Sequence, residues 1–407
     1  MAAKREPQRA VLFDALDQEL RRRPHGTIRA MERALGWAPS WWHNRRRSGD
    51  ITTRQMLEAL SFLEIDPVGF MRRCLEVEQL EIDRPSGPVP DLVARATRRL
   101  GLEAQAPGLG LSVIEELDEA SYTDPGEALG ALEHLIDRAT HDEIHRLLVI
   151  GGACLTRSVA LDEAHHASFT AISESARLGN QRLLGNALRR HVYILKGKGQ
   201  FRDALAVADR AAGVLLRAGD QRGGAKAQVE QAICLMQLEE DQPSVRLLSA
   251  ALDGLSEQDP RYFFAAFQAK ALTEARLRDF AAAEITIQKA AFWTFAAAPR
   301  DRPVIDWTKA TILFEQGLFE EAARLMRSVV ESNWKYANES TFLTARDLVE
   351  ALVKARRGAE AFEAAIKALE LAERTPLTHK AKEAVSKLRP LRDAALALAH
   401  CSLERSR

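Results

Sequence analysis

The chain has 407 residues, 46% hydrophobic and 28% charged, with a formal net charge of zero. That length exceeds one ordinary core and calls for at least two domains. The composition is that of a soluble globular protein, and no apolar run reaches the ~18 residues a membrane helix needs. The N-terminal run MAAKREPQRA lacks the apolar core of a signal peptide, so a cytoplasmic location is expected. Abundant Ala and Leu, 6% aromatics and few β-branched runs favour an all-α protein. The zero charge hides an asymmetry: residues 1–50 hold eleven Lys/Arg against six Asp/Glu, a net +5, leaving −5 for residues 51–407. A basic head on an acidic body suits a small nucleic-acid-binding domain joined to a larger one with another task.

In chain order, Val11 to Arg22 reads as a helix with Leu12, Ala15, Leu16 and Leu20 on one face, broken by Pro24 and Gly26. Thr27 caps a second helix, Ile28 to Leu35, which Gly36 ends as a C′ glycine. After Trp37 and Ala38, Pro39 opens a third helix, Ser40 to Arg47, stopped by Gly49. Thr52 or Thr53 caps a fourth with Met56, Leu57, Leu60 and Leu63 inward, and Pro67 starts a fifth with Phe70, Met71 and Leu75 inward. Two short helices joined by a tight glycine turn form a helix-turn-helix, whose second helix can enter a major groove.

The run from Thr27 to Phe70 resembles the Xre or lambda-repressor-like family: Leu35-Gly36-Trp37-Ala38-Pro39-Ser40 matches the family's turn, and Leu60, Leu63, Ile65, Pro67 and Phe70 match its closing pattern. Glu32 and Arg45 to Arg46 depart from it, standing where a small alanine, an apolar residue and an acidic residue are common. The resemblance implies DNA contact by Ser40, Trp41, His43, Asn44, Arg45, Arg46 and Arg47. The arginines suit phosphates, whose neutralisation releases counterions, and inside a helix-turn-helix that reading is favoured over a solvated face. Asn44 can pair bidentately with adenine. Trp41 is read either as a base contact or as a packing residue, and Trp42, in the other phase, as core.

Residues 79–92, with three prolines and a glycine, read as a linker, followed by helices at Leu92 to Leu100 and Leu111 to Ala120. Beyond them a polar turn and a small-residue helix start recur at Leu161, Phe201, Gln242, Phe280, Phe319 and Ala359, spaced 40, 41, 38, 39 and 40 apart. A fixed period of this size predicts a solenoid of helix pairs. The segments GQFRDALAVADRA and GLFEEAARLM resemble the second helix of a tetratricopeptide (TPR) repeat, over about residues 140–375. The domains are therefore expected at 1–78 (a five-helix head), 79–120 (linker and connecting helices) and 121–400 (a TPR-like α-solenoid).

A solenoid groove lined by first helices binds extended peptides or a partner's helix. Asn186, Arg189, Tyr193, Gln228, Gln231, Phe267 and Trp307 are the candidates there, although for any one of them an ordinary surface or inter-repeat role is the favoured reading. Other apparent motifs carry less. His141 and His145 have i, i+4 spacing, but Glu143 falls in the wrong order for a zinc protease, and His165-His166 supplies no clear third ligand. Ile150-Gly151-Gly152-Ala153-Cys154 lacks the lysine of a phosphate loop, so close helix packing is the better reading. Cys74, Cys154, Cys234 and Cys401 are far apart, which predicts buried reduced thiols rather than a metal pair or a disulfide framework. No metal, cofactor or catalytic constellation is expected, and the chain does not read as an enzyme.

The head-plus-TPR architecture resembles the RRNPP group of peptide-pheromone receptors. By analogy it implies a homodimer on double-stranded DNA, a regulator of transcription whose repeats take a peptide or protein partner. The alternative is an interaction scaffold or phage-defence component with an autoregulatory head.

Overall fold

The structure is a computed structural model, and it describes residues 16–17, 20, 27–39, 41–42, 44, 53–65, 89–100, 108–158, 160–296, 302–334 and 339–405. Among the described residues every regular element is a helix and there is no strand. We label the α-helices α1 (Thr27–Ala34), α2 (Thr53–Phe62), α3 (Asp91–Leu100), α4 (Leu111–Thr123), α5 (Pro125–Leu135), α6 (His141–Arg157), α7 (Leu161–Arg177), α8 (Gln181–Gly197) and α9 (Phe201–Arg217). They continue as α10 (Gln221–Gln237), α11 (Asp241–Gly254), α12 (Pro260–Arg276), α13 (Phe280–Phe292), α14 (Val304–Glu315), α15 (Phe319–Asn333), α16 (Glu339–Lys354), α17 (Gly358–Ala372) and α18 (His379–Arg405). None is long and apolar enough to cross a membrane. Contacts group the chain into two units, residues 1–155 with 162–190, and residues 156–161 with 191–407.

In the first unit, Leu16, Leu20, Met31, Trp42, Met56, Ala59, Leu60 and Leu63 form one buried cluster, flanked by Ile28, Leu35, Trp37, Trp41, Phe62 and Ile65. Leu16, Leu20, Met56, Leu60 and Leu63, inward by helical spacing, thus meet in a single core, while Leu12, Ala15 and the side chain of Leu57 lie outside the described residues. The helix expected from Pro67, together with Cys74 and most of the 79–92 linker, lies outside the described residues. The expected helices after the linker are α3 and α4. Glu143 ties the loop ahead of α4 to the start of α6, its carboxylate accepting from the backbone N–H groups of Leu109 (2.9 Å), Gly110 (3.1 Å) and Thr140 (2.8 Å). Burial would push this carboxyl up, but those donors hold it below its ordinary value. The Gly151-Gly152 pair is a packing notch: a Cβ on Gly151 would lie 2.5 Å from Leu92 Cδ2, and one on Gly152 3.6 Å from the Ala164 carbonyl.

The repeat register is written in the small residues. Second helices start at Leu161, Phe201, Asp241, Phe280, Phe319 and Gly358. Three residues on, Ala164, Ala204, Ser244, Ala283, Ala322 and Ala361 are all fully buried. This corrects the expected starts at Gln242 and Ala359 by one residue each, because the buried small residue, not the turn composition, sets the phase. Helices of 17 residues, such as α9 and α10, joined by three-residue turns account for the lengthened period.

The turns share one geometry. A left-handed residue recurs at Gly179, Gly199, Gly219, Glu239, Arg278, Gly317 and Arg356. At Gly219 the next N–H, of Asp220, reaches back to the Leu215 carbonyl at 2.9 Å, as in a Schellman turn. In the second unit each helix from α10 to α18 packs on its successor, and α10, α12, α14, α16 and α18 also pack each on the next but one. The pattern loosens before α14, which has 12 residues and follows Pro303. Proline there sets where the helix can begin.

Of the cysteines expected to be buried, Cys154 and Cys234 are. Cys401 is exposed, a correction: it lies near the C-terminal end of α18, on a surface that the described residues leave uncovered.

Candidate functional site

The turn between α1 and the segment from Trp41 to Asn44 is fixed by three devices. Gly36 adopts φ +68°, and a Cβ there would meet nothing within 4 Å, so the backbone conformation alone favours glycine. The Trp37 N–H donates to the Glu32 carbonyl at 2.7 Å. The Glu32 carboxylate then crosses the turn and accepts from the Trp42 N–H at 2.8 Å. The role of this glutamate is to satisfy a backbone donor in the segment that follows the turn. Trp42 is fully buried and donates its indole Nε1–H to Asp17 at 2.8 Å, linking the helix to the N-terminal segment.

Of the residues expected at the DNA interface, Ser40, His43, Arg45, Arg46 and Arg47 lie outside the described residues. Asn44 is exposed. Trp41 is half-buried, its ring centroid 4.2 Å from that of Trp37 and 6.0 Å from that of Trp42, so much of its surface is used in a three-tryptophan cluster.

The candidate groove residues are divided between the units. Asn186 and Arg189 belong to the first, where Arg189 Nη2 donates to Asn186 Oδ1 at 3.3 Å. The second holds Tyr193, Gln228, Gln231, Phe267 and Trp307, spread over α8, α10, α12 and α14. Gln231 donates to Asp209 at 3.2 Å, and Gln228 is half-buried. Phe267 joins the cluster of Phe264, Ile287 and Ile305, with its ring 6.0 Å from Phe263. Trp307 donates its indole N–H to Asp347 at 2.8 Å, one period further on. Equivalent positions on α12 and α14 are joined in the same way, by Gln268 to Thr308 at 3.0 Å. Trp307 and Gln268 thus link successive first helices.

The second unit also gathers groups the sequence did not single out. Lys196 bonds Glu230 at 2.6 Å and lies 4.4 Å above the Tyr193 ring. His379 packs on Gly199, where a Cβ would come within 2.3 Å of the imidazole, so the start of α18 meets the turn before α9. That contact sets Lys380 5.6 Å from the Phe201 ring. Burial pulls the Lys380 ammonium below its ordinary pKa, partly offset by Glu339 and reinforced by Lys196. Lys196 suffers the same desolvation, yet Glu230 holds it above its ordinary value. The Cys234 thiol, within electrostatic reach of both, is pushed up to about 11 by burial and stays protonated. No periodic signal marks this set, because its members are far apart in sequence.

A second charged node sits between α10 and α12. Asp259 accepts from Arg222 Nε and from Lys226 Nζ, both at 2.6 Å, and from the Ser256 hydroxyl at 3.1 Å. Burial alone would raise its pKa, but the two cations hold it at about 2.

Among the described residues no three His, Cys, Asp or Glu are grouped to hold a metal ion; His145 is buried, and the side chain of His141 lies outside the described residues. No family model matches the sequence, and no curated protein matches it significantly.

Proposed function

We propose that this protein is a ligand-responsive, DNA-binding regulator of transcription. Residues 27–44 serve as the core of a helix-turn-helix, and the helix pairs from α6 onward serve as a TPR-like solenoid that dimerises and takes a peptide or protein partner. The observation that carries the reading is the clamped turn at Gly36. Glu32 and Asp17 hold Trp42 in the core, and Asn44 is left exposed immediately before the Arg45-Arg46-Arg47 run. A rigid scaffold under a short cationic helix is what base and phosphate contact require. The repeat register and the ladder of bonds between first helices support the second half of the reading.

The test is selection of genomic fragments by the full chain, then titration of the recovered duplex across salt concentrations. An inverted repeat with half-sites about 34 Å apart is expected. Replacing Arg45, Arg46 and Arg47 by Ala flattens the slope of log K against log salt by up to ~0.9 per lost phosphate contact. Asn44→Ala changes the sequence selected more than the slope. Failure to enrich any sequence, with an unchanged slope in the triple variant, refutes the DNA-binding reading in favour of a scaffold.

A further inference from the structure

We propose that the second unit binds a carboxylate-bearing ligand at Lys380, with the ligand's apolar part against Tyr193 and Phe201. This deepens the ligand-sensing half of the function proposed above and rests on that reading only for what the bound ligand does.

Lys380 is half-buried, and its ammonium faces the Phe201 ring. Among the described residues no carboxylate lies within ion-pairing distance of it. Glu339 acts on it only at longer range and accepts the Thr378 hydroxyl instead, and Glu383 pairs with Lys387 at 2.7 Å. Lys196 is within electrostatic reach and of the same sign, and its one carboxylate, Glu230, is already bonded. Cys234 supplies no thiolate. The first turn of α18 has no acidic residue and carries His379, Lys380 and Lys382 where the helix dipole is positive. A partly buried cation in this setting is stabilised when an anion joins it.

The neighbours point to the kind of anion. Both ammonium groups lie over aromatic faces, Lys196 on Tyr193 and Lys380 on Phe201. A carboxylate drawn to the Lys380 ammonium would receive a charge-assisted hydrogen bond from it and gain from the nearby positive charge of Lys196, beside apolar surface that can take an attached aliphatic or aromatic group. The contact of His379 with Gly199 holds the start of α18 against the turn before α9, so an occupant at Lys380 would touch both elements and stabilise the folded chain.

The test measures thermal unfolding of the full chain at constant ionic strength in chloride. The probes are benzoate, a pool of pentapeptides randomised without Asp or Glu and with free C-terminal carboxylates, and the same pool C-amidated. Benzoate or the free-acid pool is expected to raise the wild-type Tm, while the amidated pool has no effect. A response to benzoate assigns the site to small acids, and a response to the free-acid pool alone assigns it to a peptide C-terminus. In Lys380→Met and Lys380→Gln the half-saturating concentration rises about tenfold or more, the loss of one charge-assisted hydrogen bond. Lys380→Arg, which keeps the charge, retains the response. Without a probe, Lys380→Met melts no lower than wild type, because an uncompensated charge has been removed.

The proposal is overturned if no carboxylate probe raises the wild-type Tm, if Lys380→Met responds as wild type does, or if the amidated pool acts as well as the free acid. A lower melting temperature for probe-free Lys380→Met would make the lysine a structural partner of Glu339 and overturns it too. Duplex affinity measured with and without the probe is a separate readout. A probe that binds but leaves that affinity unchanged refutes the sensing role and leaves the site standing.

Discussion

Replacing Asp259 with Asn keeps the shape of the side chain and removes its charge. The carboxylate is 1% exposed and meets Arg222 and Lys226 at 2.6 Å each. Its pKa falls from 3.8 to about 2 in the folded protein, and each unit is worth about 1.4 kcal/mol of preference for the ionised form. The node therefore contributes about 2 kcal/mol at neutral pH, somewhat less where water reaches the more open Arg222. Because the folded pKa lies below the unfolded one, that stability is present above pH 3.8 and is lost as pH falls toward 2. Asp259→Asn should thus unfold about 2 kcal/mol more easily than wild type at pH 7. The gap should narrow below about pH 4, to roughly 1 kcal/mol near pH 2.5. Guanidinium unfolding of both full-length proteins, followed by helical circular dichroism, measures the difference, and hydrogen exchange in α10 and α12 locates it. A variant as stable as wild type at pH 7, or a gap that does not change with pH, would refute the linkage.

The left-handed turns give a matched pair of tests by calorimetry. Gly219→Ala, whose new Cβ meets nothing within 4 Å, should cost about 1 kcal/mol through backbone strain alone, while the exposed Glu239→Gly at the same turn position gains up to about 1 kcal/mol. Equal stability of both variants would remove the turn argument. Gly358→Ala should be worse, about 1–3 kcal/mol, because its Cβ would sit 2.6 Å from the Ala399 N and 2.7 Å from the Ala395 carbonyl oxygen, both backbone atoms of α18; a neutral result in chemical denaturation counts against that contact. In the first unit, Glu32→Ala should lose about 1–2 kcal/mol by leaving the Trp42 N–H without its carboxylate, read as an earlier loss of tryptophan fluorescence.

Much of this architecture is readable from local chemistry. The period near 40 residues, the glycine turn at Gly36 and the core positions Leu16, Leu20, Met56, Leu60 and Leu63 all follow from helical spacing and turn preference, which act over a few residues. The one-residue errors at Asp241 and Gly358 arose where the turn carried no aromatic marker and only burial could set the phase. Glu32 shows the limit more sharply. Beside its neighbours it is a departure from a family pattern, and its purpose emerges only when folding brings Trp42 across the turn. The same holds for Asp259 with Arg222 and Lys226, and for Lys380 with Phe201. A surface lysine and a desolvated one have the same letter, and what separates them is which distant side chains and how little water surround the charge. Those are properties of packing between residues far apart in the chain, so the sequence determined where the helices start and stop, and the tertiary structure alone decided which charges meet.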